Sequence, residues 1–300
     1  MSCCTQVLRE ELQWRRIGFD GVKAERFCLS QWRIPAVIYL LYRFVLMAYV
    51  IFWLGYTSHF HSNPPQVWEA YLTNWTYTLL AVFLTCHFLA AIVFHVQVRL
   101  RPGPPSPLRS CFGRPNPEVH RRLFVESESN VQENSEYEYG SDAESENSSL
   151  LQGRVVCRPP WYMCVVWVLF SAVSSGGVMV TMVFFTFLYP SLKGADGIGL
   201  ENLQVHLLNS VIIVLEHIVT GVPFRLLHVI YPFLYGLTYM IFSVIYWAVD
   251  HDHVMYPILD WNKPGPTTGY VLMIGFVIIP VFHTCFFLIY KAKLALYRCL

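Results

Sequence analysis

Apolar residues gather into six long blocks, roughly Ile34–Tyr56, Thr76–Val98, Trp161–Leu188, Val205–Val222, Leu226–Val249 and Tyr270–Tyr290. A helix rises 1.5 Å per residue, so about 20 residues cross the ~30 Å hydrocarbon layer of a bilayer. The blocks fit that length, and the pattern predicts an all-α fold, an integral membrane bundle of six transmembrane helices. Composition points the same way. Hydrophobic residues make up 55% of the chain and charged residues 14%, against about 25% charged in soluble domains. That much apolar surface cannot be hidden in a water-soluble core of this size.

Charge sets the orientation. Arg9, Arg15, Arg16, Lys23, Arg26 and Arg33 precede the first block, eight arginines from Arg99 to Arg158 lie between the second and third, and Lys291, Lys293 and Arg298 follow the last. The alternate connections carry only Lys193 and Lys263. Basic residues stay on the cytosolic side, so both termini are expected to be cytoplasmic. The expected organisation is a cytoplasmic segment at 1–33, two spans within 34–98, a cytoplasmic loop at 99–160, four spans within 161–290 and a cytoplasmic tail at 291–300. No cleavable signal peptide is expected, because the first 33 residues lack an apolar core and a small-residue cleavage site. The loop is expected to be largely disordered. Its stretch 126–149 is acidic, rich in serine and almost free of aliphatic residues, and cannot offset the entropy lost on folding.

Polar residues inside the blocks fall into stripes. At about 100° per residue, His206, Asn209, Ser210, Glu216, His217 and Thr220 share roughly a third of the fourth helix. Arg225, His228, Tyr235, Tyr239, Ser243 and Tyr246 share one side of the fifth, and Thr73, Thr76, His87 and His95 one side of the second. Polar stripes are costly against lipid and face the bundle interior. They form either a hydrated cavity or a structural hydrogen-bond network. Arg43 sits well inside the first block, and Glu216 is the one carboxylate within any block. The two are expected to pair, with His217 nearby; the alternative is an arginine that snorkels to the surface.

Other chemistry is thin. The nine cysteines fall in the expected cytosolic segments or in spans, where no disulfide framework is expected. Cys3 and Cys4 are candidates for S-acylation. Asp250, His251, Asp252 and His253 alternate on an outer loop without dependable ligand geometry. No metal site and no cofactor are therefore expected. Asn74 and Asn147 head glycosylation sequons read as chance matches, and Ser135 and Ser141 have the acidic context that acidophilic kinases prefer. The net charge of +1 gives no reason to expect a nucleic-acid partner.

Five strings carry a family resemblance: Leu40–Arg43, Tyr71–Thr76, His206–Ser210, Pro223–His228 and Tyr256–Trp261. In this order they resemble the Rolling stone family of multi-pass membrane proteins. The resemblance implies a plasma-membrane protein, and the family's insect founder is associated with myoblast fusion. The expected partner is the lipid bilayer; the sequence names no protein partner.

A more distant resemblance runs to the androgen-induced family, which includes threonine-dependent membrane hydrolases of fatty-acid esters. Tyr71-Leu72-Thr73 is similar to that family's nucleophile string, and His206, ten residues before Glu216, to its catalytic histidine. This implies Thr73 as nucleophile and His206 as base, at one depth near the outer surface, acting on a lipid or acyl ligand. Two readings stay open: a contact or fusion protein without catalysis, and a lipid-ester hydrolase. A transporter has less support, since no inverted repeat or paired broken helices are visible.

Overall fold

The structure, a computed structural model, describes residues 8–60, 68–100, 117–121, 123–124, 158–192, 199–252 and 254–299. Cys3, Cys4, Ser135, Ser141, Asn147, His253 and the acidic stretch 126–149 lie outside the described residues.

Six helices are long and apolar enough to cross a membrane. We number them α1 (Ala36–Phe60), α2 (Leu72–Leu100), α3 (Trp161–Leu188), α4 (Leu200–Val219), α5 (Leu226–Val249) and α6 (Pro264–Cys299). Among the described residues there is no strand, only a single antiparallel bridge between Ser30 and Thr220. The central helix is α3, which packs against α2, α4, α5 and α6. Its sequence allows this. Ser171, Ser174, Ser175, Gly176 and Gly177 are all buried, with Gly176 toward Tyr235 and Thr76 and Gly177 toward Asn209 and Ile213, and small side chains let membrane helices approach closely. By contrast α1 is peripheral, with Ile38, Leu41, Phe44, Val45 and Phe52 exposed as a lipid-facing surface should be.

The second helix begins at Leu72, earlier than the hydropathy pattern suggested, because Asn74 fixes its first turn by donating to the Trp68 carbonyl at 2.6 Å. The amide of this sequon is thus engaged within the fold. The fourth helix stops at Val219 instead of Val222. Gly221 and Pro223 follow; proline cannot continue a helix, and residues 220–225 run extended and buried. The sixth helix is longer than expected. Its 36 residues span about 54 Å, so its final turns project past the hydrocarbon.

Those turns meet the rest of the chain at one end of the bundle. The Glu11 carboxylate lies 3.2 Å from Lys291. Buried His120, in the short helix Pro117–Arg121, reaches the Ser30 carbonyl at 3.1 Å and the Tyr297 hydroxyl. Burial, with Arg33 adding to it, holds the His120 imidazole below its ordinary range, against the Ser30 hydrogen bond. Segments before α1, between α2 and α3, and at the end of α6 therefore share one face.

Much of the N-terminal segment is core. Phe27 and Cys28 are fully buried. The Phe27 carbonyl is held by His87 Nε2 at 2.6 Å, and Cys28 Sγ points to the Ala90 carbonyl at 3.8 Å. Burial, the largest influence, pushes the Cys28 thiol well above its usual range, which makes it a packing group instead of a nucleophile. A segment with no long apolar run thus plugs the end of the bundle.

Gly221 sits where the plug closes. A Cβ there would lie 2.5 Å from Phe124 Cε1 and 2.8 Å from the Arg26 carbonyl oxygen, whereas one at Gly55 meets open space. Overpacking against backbone costs about 1–3 kcal/mol. We expect Gly221→Ala to lower the melting temperature of the purified protein and Gly55→Ala to leave it unchanged or raise it. Equal behaviour of the two would mean that the plug is not packed as described.

Candidate functional site

The polar interior is organised around a charge pair. Tyr39, Tyr42 and Arg43 occupy one face of α1 at helical spacing, and this face looks across at α4. Arg43 and Glu216 are both 0% exposed, and Arg43 Nη1 donates to Glu216 Oε2. The neighbours complete the pair. Arg43 Nη2 donates to Tyr39 Oη at 2.6 Å, and Tyr42 Oη donates to Glu216 Oε1 at 2.9 Å. Tyr39 Oη is 3.3 Å from Thr220 Oγ1, and the guanidinium lies 4.8 Å from the Tyr39 ring centroid. Further along the same face Tyr49 donates to Gln204. Long polar side chains thus tie the peripheral α1 to α4. A buried ion pair needs partners for its remaining hydrogen-bonding groups; the two tyrosines meet Arg43 Nη2 and Glu216 Oε1, while Arg43 Nε stays buried without a partner.

His217, next along α4, faces α3 and α6. Its ring lies between Phe170 and Phe286, at centroid distances of 4.4 and 4.2 Å. Ser174 Oγ gives its proton to the Phe170 carbonyl and lies 2.7 Å from His217 Nε2. The serine has one proton, so His217 donates through Nε2. His283 follows similar logic, with Nε2 3.0 Å from the Arg225 carbonyl and Nδ1 3.3 Å from Ser175 Oγ.

The carbonyls that end α4 are all taken up. Lys293 Nζ donates to those of His217 and Thr220, each at 2.7 Å. Trp32 Nε1 donates to Ile218 O at 2.7 Å, and Val219 O accepts from Gln31 N and Ser30 Oγ. Gly221 O accepts from Arg26 Nε at 3.3 Å. Lys293 places a positive charge at the negative end of the helix dipole, the favourable side.

Arg225 lies in the extended segment before α5, not on the helix face inferred from sequence. It donates to the carbonyls of Gly18 and Asp20 and covers the Trp167 ring at 4.7 Å. His228 packs among Phe19, Trp167 and Tyr231. Both hold the N-terminal segment against the bundle.

At the far end, α4 widens into a π-helical turn at Leu203–Leu208 and α3 into another at Phe184–Leu188. The His206 ring stacks on Phe184 at 3.6 Å, its carbonyl accepts from Thr181, and Thr181 Oγ1 lies 2.6 Å from Ser210 Oγ. His206 Nδ1 and both amide atoms of Asn209 are buried without a hydrogen-bond partner. Thr73 sits elsewhere, with its side chain and backbone engaging the Tyr256 hydroxyl. Burial pushes that phenol up to about 12. No hydrogen bond joins Thr73 to His206 among the described residues. Three residues of the stripe on α5 are taken up by hydrogen bonds: Tyr235 Oη lies 3.0 Å from Thr76 Oγ1, Tyr239 donates to the Ala70 carbonyl at 2.8 Å, and Ser243 Oγ accepts from Trp261 Nε1 at 3.1 Å. Just past α5, His251 stacks on Trp247 at 4.6 Å.

With this geometry established, comparison with known proteins gives a family. The model of the family described as Protein rolling stone matches residues 148–300. The chain belongs to the Rolling stone family. It is 24% identical over 296 residues to Protein rolling stone of Drosophila melanogaster, covering 95% of this chain and 89% of that one. No solved structure matches it. The Rolling stone match spans α3 to α6 and so contains Glu216, His217, Arg225, His228 and Lys293; Arg43 lies outside that stretch.

Sequence reasoning missed several members of this network. Tyr39 and Tyr42 were legible as neighbours of Arg43 at i−4 and i−1, but neither was weighed as a partner of the pair. Lys293 and Arg26 were absorbed into the topology argument. The run Ser174-Ser175-Gly176-Gly177 was the overlooked signal for close helix packing.

The pair makes a direct prediction. Removing one partner strands the other as a buried charge, typically a loss of about 3–5 kcal/mol. We expect Arg43→Leu and Glu216→Leu each to reduce folded yield sharply in detergent chromatography, and the double variant to recover part of it. A double variant no better than the sum of the singles would deny the coupling.

Proposed function

We propose that this Rolling stone family member is a plasma-membrane protein of cell–cell contact, acting through the surfaces of a rigid bundle, with both termini in the cytosol. The observation that carries this is the use of the polar interior. Arg43, Glu216, His217, His283 and Lys293 are engaged by one another or by nearby tyrosines, serines and carbonyls. Such a network fixes a shape and supplies little free chemistry. The kinship to Protein rolling stone of Drosophila melanogaster supports the same reading.

Orientation has its own test. Lys263 is exposed on the loop before α6, on the face opposite the termini. A membrane-impermeant amine reagent applied to intact cells should modify Lys263 and spare Lys23. The reverse pattern would invert the topology.

A second reading, threonine-dependent ester hydrolysis, rests on the unpartnered Nδ1 of buried His206. It requires Thr73 to leave Tyr256 and bring its hydroxyl to that imidazole, which would take the proton as the oxygen attacks the ester. One experiment separates the readings. In co-cultured myoblasts depleted of the protein, contact or fusion should fall. Thr73→Ala and His206→Ala should restore it as well as the unaltered chain does. Failure of both, together with loss of ester turnover in the purified variants, would favour the hydrolase. No change on depletion would reject the contact role.

A further inference from the structure

The segment Leu8–Ile17 combines features that neither the ion-pair network nor the proposed contact role uses. Leu8 is 51% exposed, Leu12 52% and Trp14 84%. Leu8 and Leu12 stand one helical turn apart. Between and after them Arg9 and Arg15 are exposed, and Arg16 is half-buried. Of the two acidic residues in the segment, Glu11 is turned inward onto Lys291 and Glu10 is half-buried, so the segment is net basic.

The segment is nonetheless held in place. Glu11 fixes it to α6, the Ile17 carbonyl accepts from Tyr231 on α5 at 3.4 Å, and the next residues carry the Gly18 and Asp20 carbonyls that bind Arg225. Phe19 stacks on Tyr231 at 6.3 Å. Asp20 in turn faces Arg158 at 3.6 Å, three residues before Trp161 opens α3, and Trp161 is 77% exposed. The exposed tryptophan of the segment and the exposed tryptophan of α3 thus mark the same end of the bundle.

An indole so exposed on an anchored segment is unfavourable in water and favourable in the headgroup layer, where tryptophans of membrane proteins collect. Leucines dipping below that layer with arginines around them are the pattern of an element lying in the interface and attracted to anionic lipid. We propose that residues 8–17 are such an element: Trp14, Leu8 and Leu12 insert into the leaflet on the side of the termini, and Arg9, Arg15 and Arg16 recognise its anionic headgroups. The occupant is the surface of the protein's own bilayer, continuous with the lipid around α5 and α6. Its charge complements the three arginines. The segment leads directly into the plug, so anionic lipid would brace residues 18–31 against the end of α4.

The test uses the full chain in nanodiscs of phosphatidylcholine alone or mixed with phosphatidylserine, with lipids brominated near the headgroup. Trp14 fluorescence is taken as the difference between the unaltered chain and Trp14→Phe, and hydrogen exchange is followed on residues 8–17. Trp14 should be quenched, and exchange should slow when phosphatidylserine is present and recover with salt. Replacing Arg9, Arg15 and Arg16 by glutamine should weaken this phosphatidylserine effect by roughly fivefold per arginine and leave exchange in phosphatidylcholine unchanged. Unquenched Trp14 with exchange indifferent to lipid charge would overturn the proposal. So would protection that follows protein concentration in detergent, which would assign the surface to a second copy. The quenching arm decides the question on the unaltered sequence even if the glutamine variant does not fold.

Discussion

A carboxylate cannot stay ionised in the interior of a bilayer without a cation and hydrogen-bond donors beside it. Glu216 has both, because Arg43 and Tyr42 reach it from α1. Much of the bundle follows from that requirement. The helix carrying Glu216 ends one turn later, and a helix end leaves carbonyls that must also find donors. Ser30, Gln31 and Trp32 from before α1, Arg26 from the plug and Lys293 from α6 supply them. The extended segment 220–225 can lie buried only because these donors surround it, in keeping with the rule that irregular backbone near a membrane is tolerated when protein covers it.

The two ends of the bundle are therefore built differently. At the end bearing the termini, charged side chains are consumed in fixing distant parts of the chain to one another. At the opposite end two facing helices widen into π-helical turns joined by the stack of His206 on Phe184, and the polar groups between them are neutral. Such turns recur at functional sites. They also explain how a histidine comes to be held with one nitrogen unmatched: the threonine and serine hydroxyls that could have met it are directed to backbone carbonyls of α3 and α4 instead.

The spans were legible because lipid imposes a length and a polarity that any sequence must obey, and the Arg43–Glu216 pair because a lone acid among apolar residues has few solutions. The plug was not legible. Residues 18–31 carry no long apolar run, and Lys23 and Arg26 argue for water; only the structure reveals that Arg26 and Arg225 are capping backbone carbonyls. The boundary of α4 was misjudged for a related reason, since Val222 looks like more span until Gly221 and Pro223 are weighed against hydropathy. The partners of Thr73 were equally hidden. Tyr256 lies 183 positions further along the chain, and spacing on α2 cannot announce it.

The Arg43–Glu216 pair is separated by 173 positions in sequence, and synthesis is sequential. At 5–20 residues per second, roughly 10 to 30 s pass between the two residues. Throughout that interval α1 must be kept by the insertion machinery with an unneutralised guanidinium, or lie shallow with the side chain drawn toward headgroups. Lys293 arrives later still, 77 positions after Glu216, so α4 is a helix with an open end until α6 has been made. A nascent chain cut short before α4 would present a stranded charge, and one cut short before α6 bare carbonyls, each the kind of lesion that membrane quality control is able to recognise.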